Sequence, residues 1–242
     1  LQRLDAELRQ RGFHGEVFIM QGNGGVVGLE QACRHGVQAL LSGPASGVVA
    51  GAYLGQVSGF KDVITVDMGG TSFDVCLVQD GHPKTGTDQW MSRYRVAVPF
   101  IDIHTIGAGG GSIAWVDEGG ALRVGPQSAR AHPGPACYGF GGQEATVTDA
   151  DVILGYINPD SFLGGEMQLN ADAARQAIEA KVAQPLEMSL LEAAGGIFRI
   201  VNNSMSNSVR QVSLTKGYDP RDFALTAFGG AGAIHAGALV EE

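Results

Sequence analysis

No cluster of lysines and arginines occurs anywhere in the 242 residues, and the formal charge is −9. Without a basic patch the chain has no electrostatic hold on a nucleic-acid backbone or an anionic membrane surface, so neither is expected as a main partner. A single nucleotide is not excluded, because peptide N–H groups and a metal can hold phosphates without lysine. Cysteine is equally scarce: Cys33, Cys76 and Cys137 stand far apart, with no Cys-x-x-Cys pair. That excludes a disulfide framework and fits a reducing compartment, the cytoplasm. No apolar run reaches about 18 residues, so no membrane-spanning helix is expected. The opening LQRLDAELRQRGF reads as an amphipathic helix rather than a signal peptide.

What the chain has in excess is glycine. There are 37 in 242 residues, roughly twice the usual share of about 7%. They cluster, which points to tight turns and close backbone approaches, to other backbone or to a ligand. Hydrophobic residues at 44% and charged residues at 17% mark an ordinary globular chain, long enough for one large domain or two lobes. The start at Leu1, without Met and in mid-helix, and the end at GALVEE suggest a segment cut from something longer.

Strand and helix signals alternate, which makes this an α/β chain. GEVFIMQGNGG (15–25) predicts a short strand and a glycine turn, and residues 28–55 predict helix, turn, helix, with Pro44 early in the second helix. Small residues on that helix allow close packing or backbone access to a ligand. Residues 63–79 predict two strands joined by a tight turn, and 89–107 one or two more. Residues 107–142 are rich in turns but too long for a structureless loop, so they are expected to be functional or folded around short strands. Residues 146–157 lead into a short helix, and 170–186 form an amphipathic one. Ser189 and Glu192 stand at capping-box spacing before a long helix with a stop at Gly217. Residues 223–239 predict a buried strand, a glycine turn and a helix start.

VITVDMGGTSFDVCLV (63–78) is the most informative stretch. Gly69, Gly70, Thr71 and Ser72 offer successive N–H groups and hydroxyls that can wrap phosphate oxygens. Asp67, at the strand end, can hold Mg²⁺ through water or orient an attacking water, and Asp74 lies just beyond the turn. A plain hairpin also favours Gly-Gly, but it requires no bracketing acids. The second turn, Phe228-Gly229-Gly230-Ala231-Gly232, follows an apolar strand and opens a helix, a geometry that places a nucleotide against a helix N-terminus. The two turns, about 160 residues apart, can face each other across a cleft.

DMGGTSFDV resembles the phosphate-binding hairpin of the sugar kinase/Hsp70/actin superfamily. FGGAGAIHA resembles the adenosine-side glycine motif of one branch, the hydantoinase A/5-oxoprolinase family. QGNGG, LSGPASGVVAGA, TIGAGGGSIAWVD, GPACYG and TVTDADVILG resemble the same family in the same order, from about 16 to 239. The resemblance implies an RNase H-like (actin/Hsp70/sugar-kinase type) nucleotide-binding fold. Residues 1–60 would be connecting helices and a strand, and 61–242 one ATP-binding half with a Gly-rich insertion at about 102–145. It implies ATP and Mg²⁺ or another divalent metal as cofactors, with Gly229, Gly230 and Gly232 admitting the adenosine. The implied activity is opening of a cyclic amide (hydantoin, 5-oxoproline or lactam), or work as a subunit of a ketone carboxylase. Complete members carry another DxGGTxTD hairpin in a first half, so this segment alone is expected to be inactive. A hydantoinase B-like second subunit is the implied partner, and a homo-oligomer is left open. A nucleotide switch acting through partner binding is the competing reading.

Asp102 and His104 lie in PFIDIHTIGAGGGS, and a shared strand face would let them ligate a metal or move a proton, or leave a histidine hydrogen-bonded at a strand end. With Asp67 they complete the candidate catalytic and metal set. His132 and Cys137 match no standard zinc spacing. Asp149 is either an N-cap or a site acid. His235 faces either a nucleotide or solvent, and Gly107 to Gly111 make either a substrate-side loop or a bend. Asn202, Asn203, Asn207, Ser204, Ser206 and Ser208 line a cleft or face solvent.

Overall fold

A computed structural model describes residues 1–87, 89–91 (backbone alone) and 93–242. Helix α1 (Gln2–Gln10) precedes the antiparallel hairpin of β1 (Phe18–Met20) and β2 (Val26–Gly28), in which Phe18 lies opposite Gly28. Next come α2 (Leu29–Arg34), α3 (Ser42–Val57), β3 (Val63–Met68) and β4 (Phe73–Gln79). The short strands β5 (His82–Pro83), β6 (Thr85–Gly86), β7 (Gln89–Met91), β8 (Tyr94–Val96), β9 (Phe100–Ile101) and β10 (His104–Ile106) follow. They lead to the hairpin of β11 (Ser112–Val116) and β12 (Leu122–Ser128). The chain finishes with α4 (Val147–Ile153), α5 (Ala171–Ile178), α6 (Leu190–Val212), β13 (Ala224–Phe228) and α7 (Gly232–Glu241). The result is a mixed α/β chain whose largest sheet runs β10, β4, β3, β13, with β5 paired to β4. Of the 89–107 segment, Ser92 lies outside the described residues, and the rest divides into β7 to β10 rather than one or two strands.

By its internal contacts the chain divides into two compact units: Leu1–Thr65 with Cys76–His104 and Arg221–Thr226, and Val66–Val75 with Thr105–Pro220 and Ala227–Glu242. In the first unit, Ala45, Val48 and Ala52 of α3 pack on Val63, Cys76, Val78, Ile101 and Ile103. Each valine or isoleucine so buried contributes about 1.5–3 kcal/mol. The small residues of α3 serve that packing: a Cβ on Gly55 would lie 2.6 Å from a Val63 methyl. Pro44 sits in the first turn, where a helix has no use for its N–H.

In the second unit the turn-rich segment folds around the β11–β12 hairpin. Ser189 and Glu192 form the capping box that their spacing predicts, and Ala193, Ile197, Val201, Met205 and Val212 line the buried face of α6. The helix ends at Val212, so Gly217 (φ 84°) closes the short turn Leu214–Lys216 and not α6 itself. No helix among the described residues is long and apolar enough to cross a membrane.

Candidate nucleotide-binding site

Every residue of β3 is buried except Asp67, which is half-buried next to the strand end. The chain turns through Gly69 to Ser72, with the Gly69 N–H donating to Ser72 O at 3.1 Å. Asp74, the second residue of β4, accepts from Thr105 Oγ1. Burial, and then the nearby charge of Asp74, push the Asp67 carboxyl above the ordinary carboxylate range. Two carboxylates so placed favour a cation beside them, since opposite charge offsets both causes.

Residues 109–111 form the floor of this turn. Gly110 N–H donates to Gly69 O at 3.0 Å, Gly111 N–H to Gly70 O at 2.7 Å, and Ser128 Oγ to Gly70 O at 3.3 Å. In a trans peptide the N–H points opposite to the C=O. With the Gly69 and Gly70 carbonyls turned into the floor, the Gly70 and Thr71 N–H groups therefore point out of it, on the exposed side. The approach is possible only because Gly109 lacks a side chain: a Cβ there would lie 2.6 Å from Gly70 C and Thr71 N.

The second glycine turn closes on the same strand end. Ala231 N–H donates to Met68 O at 2.9 Å, and Gly229 adopts φ +85° against Asp67 and Met68. Gly232 then starts α7. A Cβ on Gly69, Gly70 or Gly230 meets nothing within 4 Å. The site glycines thus separate into two groups, those the protein's own backbone requires (109 and 229) and those that border open space (69, 70 and 230). Outward N–H groups, the hydroxyls of Thr71 and Ser72, and two carboxylates form a donor set that fits a polyphosphate with a divalent cation.

The chain matches the hydantoinase/oxoprolinase family over residues 1–242. The chain belongs to that family. It is 48% identical over 242 residues to the caprolactamase subunit alpha of Pseudomonas jessenii, covering 100% of this chain and 35% of that protein. The solved structure of the ATP-dependent caprolactamase from Pseudomonas jessenii superposes with TM-score 0.86 at 47% identity, over 99% of this chain and 35% of the other. Nucleotide-free acetone carboxylase, solved in work on ATP-dependent acetone carboxylation, superposes with TM-score 0.89 at 32% identity, over 99% and 34%. The chain thus spans about a third of the length of these relatives.

Within this family member, the remaining candidates are placed unevenly. Asp102 and His104 do not share a strand face. β9 ends at Ile101, the Ile103 N–H donates back to Ile101 O at 2.9 Å, and β10 starts only at His104, so the alternation breaks between them. Both belong to the first unit and Asp67 to the second. Among the described residues no group of three or more His, Cys, Asp or Glu is placed to hold a metal. His132 lies tilted against Phe140, ring centroids 5.2 Å apart, and Cys137 is buried.

Asp149 is not the N-cap of α4; Thr146 is. Asp149 is its capping-box partner, accepting from Thr146 N–H and Oγ1, and it also accepts from Cys137 N–H at 2.8 Å and Ala136 N–H at 3.2 Å. With four donors it is a structural acid. His235 faces neither nucleotide nor solvent: it is wholly buried, stacked on Phe198 at 4.9 Å. The polar middle of α6 splits by face. Asn202, Ser206 and Ser208 are buried, and Ser204 and Asn207, with the edge of Ser208, line a cleft of about 400 Å³ beside Gly107 and Ala108. Sequence reasoning passed over Asp151, whose signal was an acid within the otherwise apolar turn DVI of α4; it lies 3.6 Å from His235.

Proposed function

We propose that this chain is the ATP-binding portion of an ATP-dependent cyclic-amide hydrolase acting on a lactam, 5-oxoproline or hydantoin. The observation that carries it is the closure of two glycine turns on the end of β3, around Asp67, with open space over Gly69, Gly70 and Gly230. Gly70 and Thr71 N–H and the hydroxyls of Thr71 and Ser72 hold phosphate oxygens in this reading, and Asp67 with Asp74 holds Mg²⁺. Gly229, Gly230 and Gly232 admit the adenosine. Bound ATP would supply the phosphoryl group that makes an inert amide oxygen reactive. The residues' task is to orient that group and neutralise developing charge.

The fold proposed for this arrangement is RNase H-like, of the actin, Hsp70 and sugar-kinase type. Hydrolysis is preferred to ketone carboxylation because identity to the caprolactamase subunit alpha is 48%, against 43% to an acetophenone carboxylase gamma subunit and 33% to an acetone carboxylase beta subunit. Asp102 and His104 remain proposed contributors to proton transfer or metal binding. Turnover is proposed for the full-length protein in a cytoplasmic complex with a hydantoinase B-like subunit. Titrating Mg-ATP into the full-length protein, with Asp67→Ala alongside, tests the reading: heat of binding that the substitution abolishes supports it, and binding indifferent to Asp67 refutes the site. ADP release stimulated by lactam but not by ketone with bicarbonate decides between the two reactions.

A further inference from the structure

Asp151, His235 and Asn202 form a buried polar chain across three helices, at 1%, 0% and 3% exposure. Asn202 Nδ2 donates to Phe198 O at 2.7 Å, which leaves its Oδ1 facing His235 Nδ1 at 3.2 Å. An amide oxygen only accepts, so Nδ1 carries a hydrogen. The other ring nitrogen, Nε2, faces Asp151 Oδ2 at 3.6 Å, ion-pair range but longer than a hydrogen bond, and neither has a hydrogen-bond partner among the described residues. The two unpartnered groups therefore face each other across the helices. Such a pair out of water adds little net stability, because desolvation offsets the attraction. Its presence calls for another reason.

The helices supply one. One turn before Asp151, Thr148 of α4 grips Gly110: its N–H and Oγ1 both donate to Gly110 O, at 2.7 and 2.8 Å. His235 lies one turn into α7, which starts from the Gly229–Ala231 turn bonded to Met68. Asp151 thus belongs to the helix that holds the floor of the phosphate turn, and His235 to the helix that carries the second glycine turn. We propose that Asp151, His235 and Asn202 are positioning residues, whose polar contacts fix the two glycine elements in register around a nucleotide phosphate. This rests on the nucleotide reading above. Apolar side chains can fill the same volume but leave rotation and sliding of α7 against α4 unspecified, and binding groups tolerate only about 0.5 Å of displacement.

The test uses the full-length protein and Mg-ATP, with melting temperature and Kd measured together. His235→Phe keeps the stack on Phe198 but strands the Asp151 carboxylate, so both stability and affinity fall. The double variant Asp151→Leu/His235→Phe removes the stranded charge. Its melting temperature is expected to return to the wild-type value while Kd stays raised at least about tenfold. Asp151→Asn, which can still donate to Nε2, is expected to keep Kd near wild type. Recovery of affinity together with stability in the double variant would reduce the pair to a structural role and overturn the proposal. Should the double variant not fold, Asn202→Ala decides, and a Kd within about twofold of wild type overturns it. Absence of Mg-ATP binding by the wild type would instead refute the nucleotide reading itself.

Discussion

Gly229 packs against Asp67 so closely that any Cβ at 229 would overlap Asp67 Oδ1 and lie 2.5 Å from Met68 O. Its backbone is also left-handed, at φ +85°. Alanine there meets steric overlap and backbone strain together, about 1–3 kcal/mol for the strain alone. Gly229→Ala is expected to displace the Asp67 carboxylate, lowering melting temperature and abolishing Mg-ATP binding. Gly230→Ala, one residue on, meets no protein atom within 4 Å and is expected to leave the melting temperature unchanged. Equal stability losses at both positions would show that the turn does not pack on Asp67 in solution.

The first turn permits a sharper separation of fold from ligand. Alanine at Gly69 or Gly70 touches nothing within 4 Å, whereas at Gly109 it lies 2.6 Å from the Gly70–Thr71 peptide. Gly69→Ala and Gly70→Ala are therefore expected to melt like wild type and yet bind Mg-ATP at least about tenfold more weakly, because each methyl occupies space that phosphate needs. Gly109→Ala should lose both stability and binding. Thermal melting beside calorimetric titration checks all three. Unchanged affinity at Gly69 and Gly70 would move the phosphate elsewhere.

Local signals carried most of what could be read in advance. The capping box at Ser189 and Glu192, the short strands within 107–142 and the strand–glycine–helix order at 223–239 each depend on residues near one another in sequence, and each is present. What escaped depends on tertiary contact. Asp102 and His104 obey strand alternation on paper, but the bend at Ile103 breaks it. Asp149 looked like a cap or a site acid, and only the fold brings Ala136 and Cys137 N–H to its carboxylate. His235 sits just past a glycine turn, which suggested exposure to ligand or solvent; packing of α7 against α6 buries it. Asp151 carried no recognisable spacing, because the histidine it faces lies 84 residues away, at His235.

The buried acid also predicts a pH dependence. Burial raises the Asp151 carboxyl above its ordinary value of 3.8, with His235 pulling it down less strongly and Asp149 pushing it up. A raised folded-state value means that the stabilising contribution is complete below the unfolded value and is lost as pH climbs through the folded one. Asp151→Asn cannot ionise and lacks that loss. The stability difference, Asp151→Asn minus wild type, is therefore expected to grow as pH rises above about 4. Urea denaturation at several pH values measures it. A difference that shrinks with pH would show that the folded state favours the charged carboxylate.

Cysteine chemistry tests the loop that Asp149 holds. Cys33 is exposed, whereas Cys76 and Cys137 are buried. Burial, and then the Asp149 carboxylate, push the Cys137 thiol far above its ordinary range, and only a thiolate attacks a disulfide reagent. Of the three cysteines, Cys33 alone is expected to react with an aromatic disulfide reagent in the native protein, and all three in denaturant. Asp149→Ala removes the acceptor of the Ala136 and Cys137 N–H groups, so the 136–138 turn should open locally and Cys137 should begin to react without global unfolding. Because Asp149 and Thr148 share the first turn of α4, and Thr148 grips Gly110, the same substitution should also weaken Mg-ATP binding. Fast native labelling of Cys137 in the wild type would mean that this turn is already open and that α4 does not hold the floor of the phosphate site.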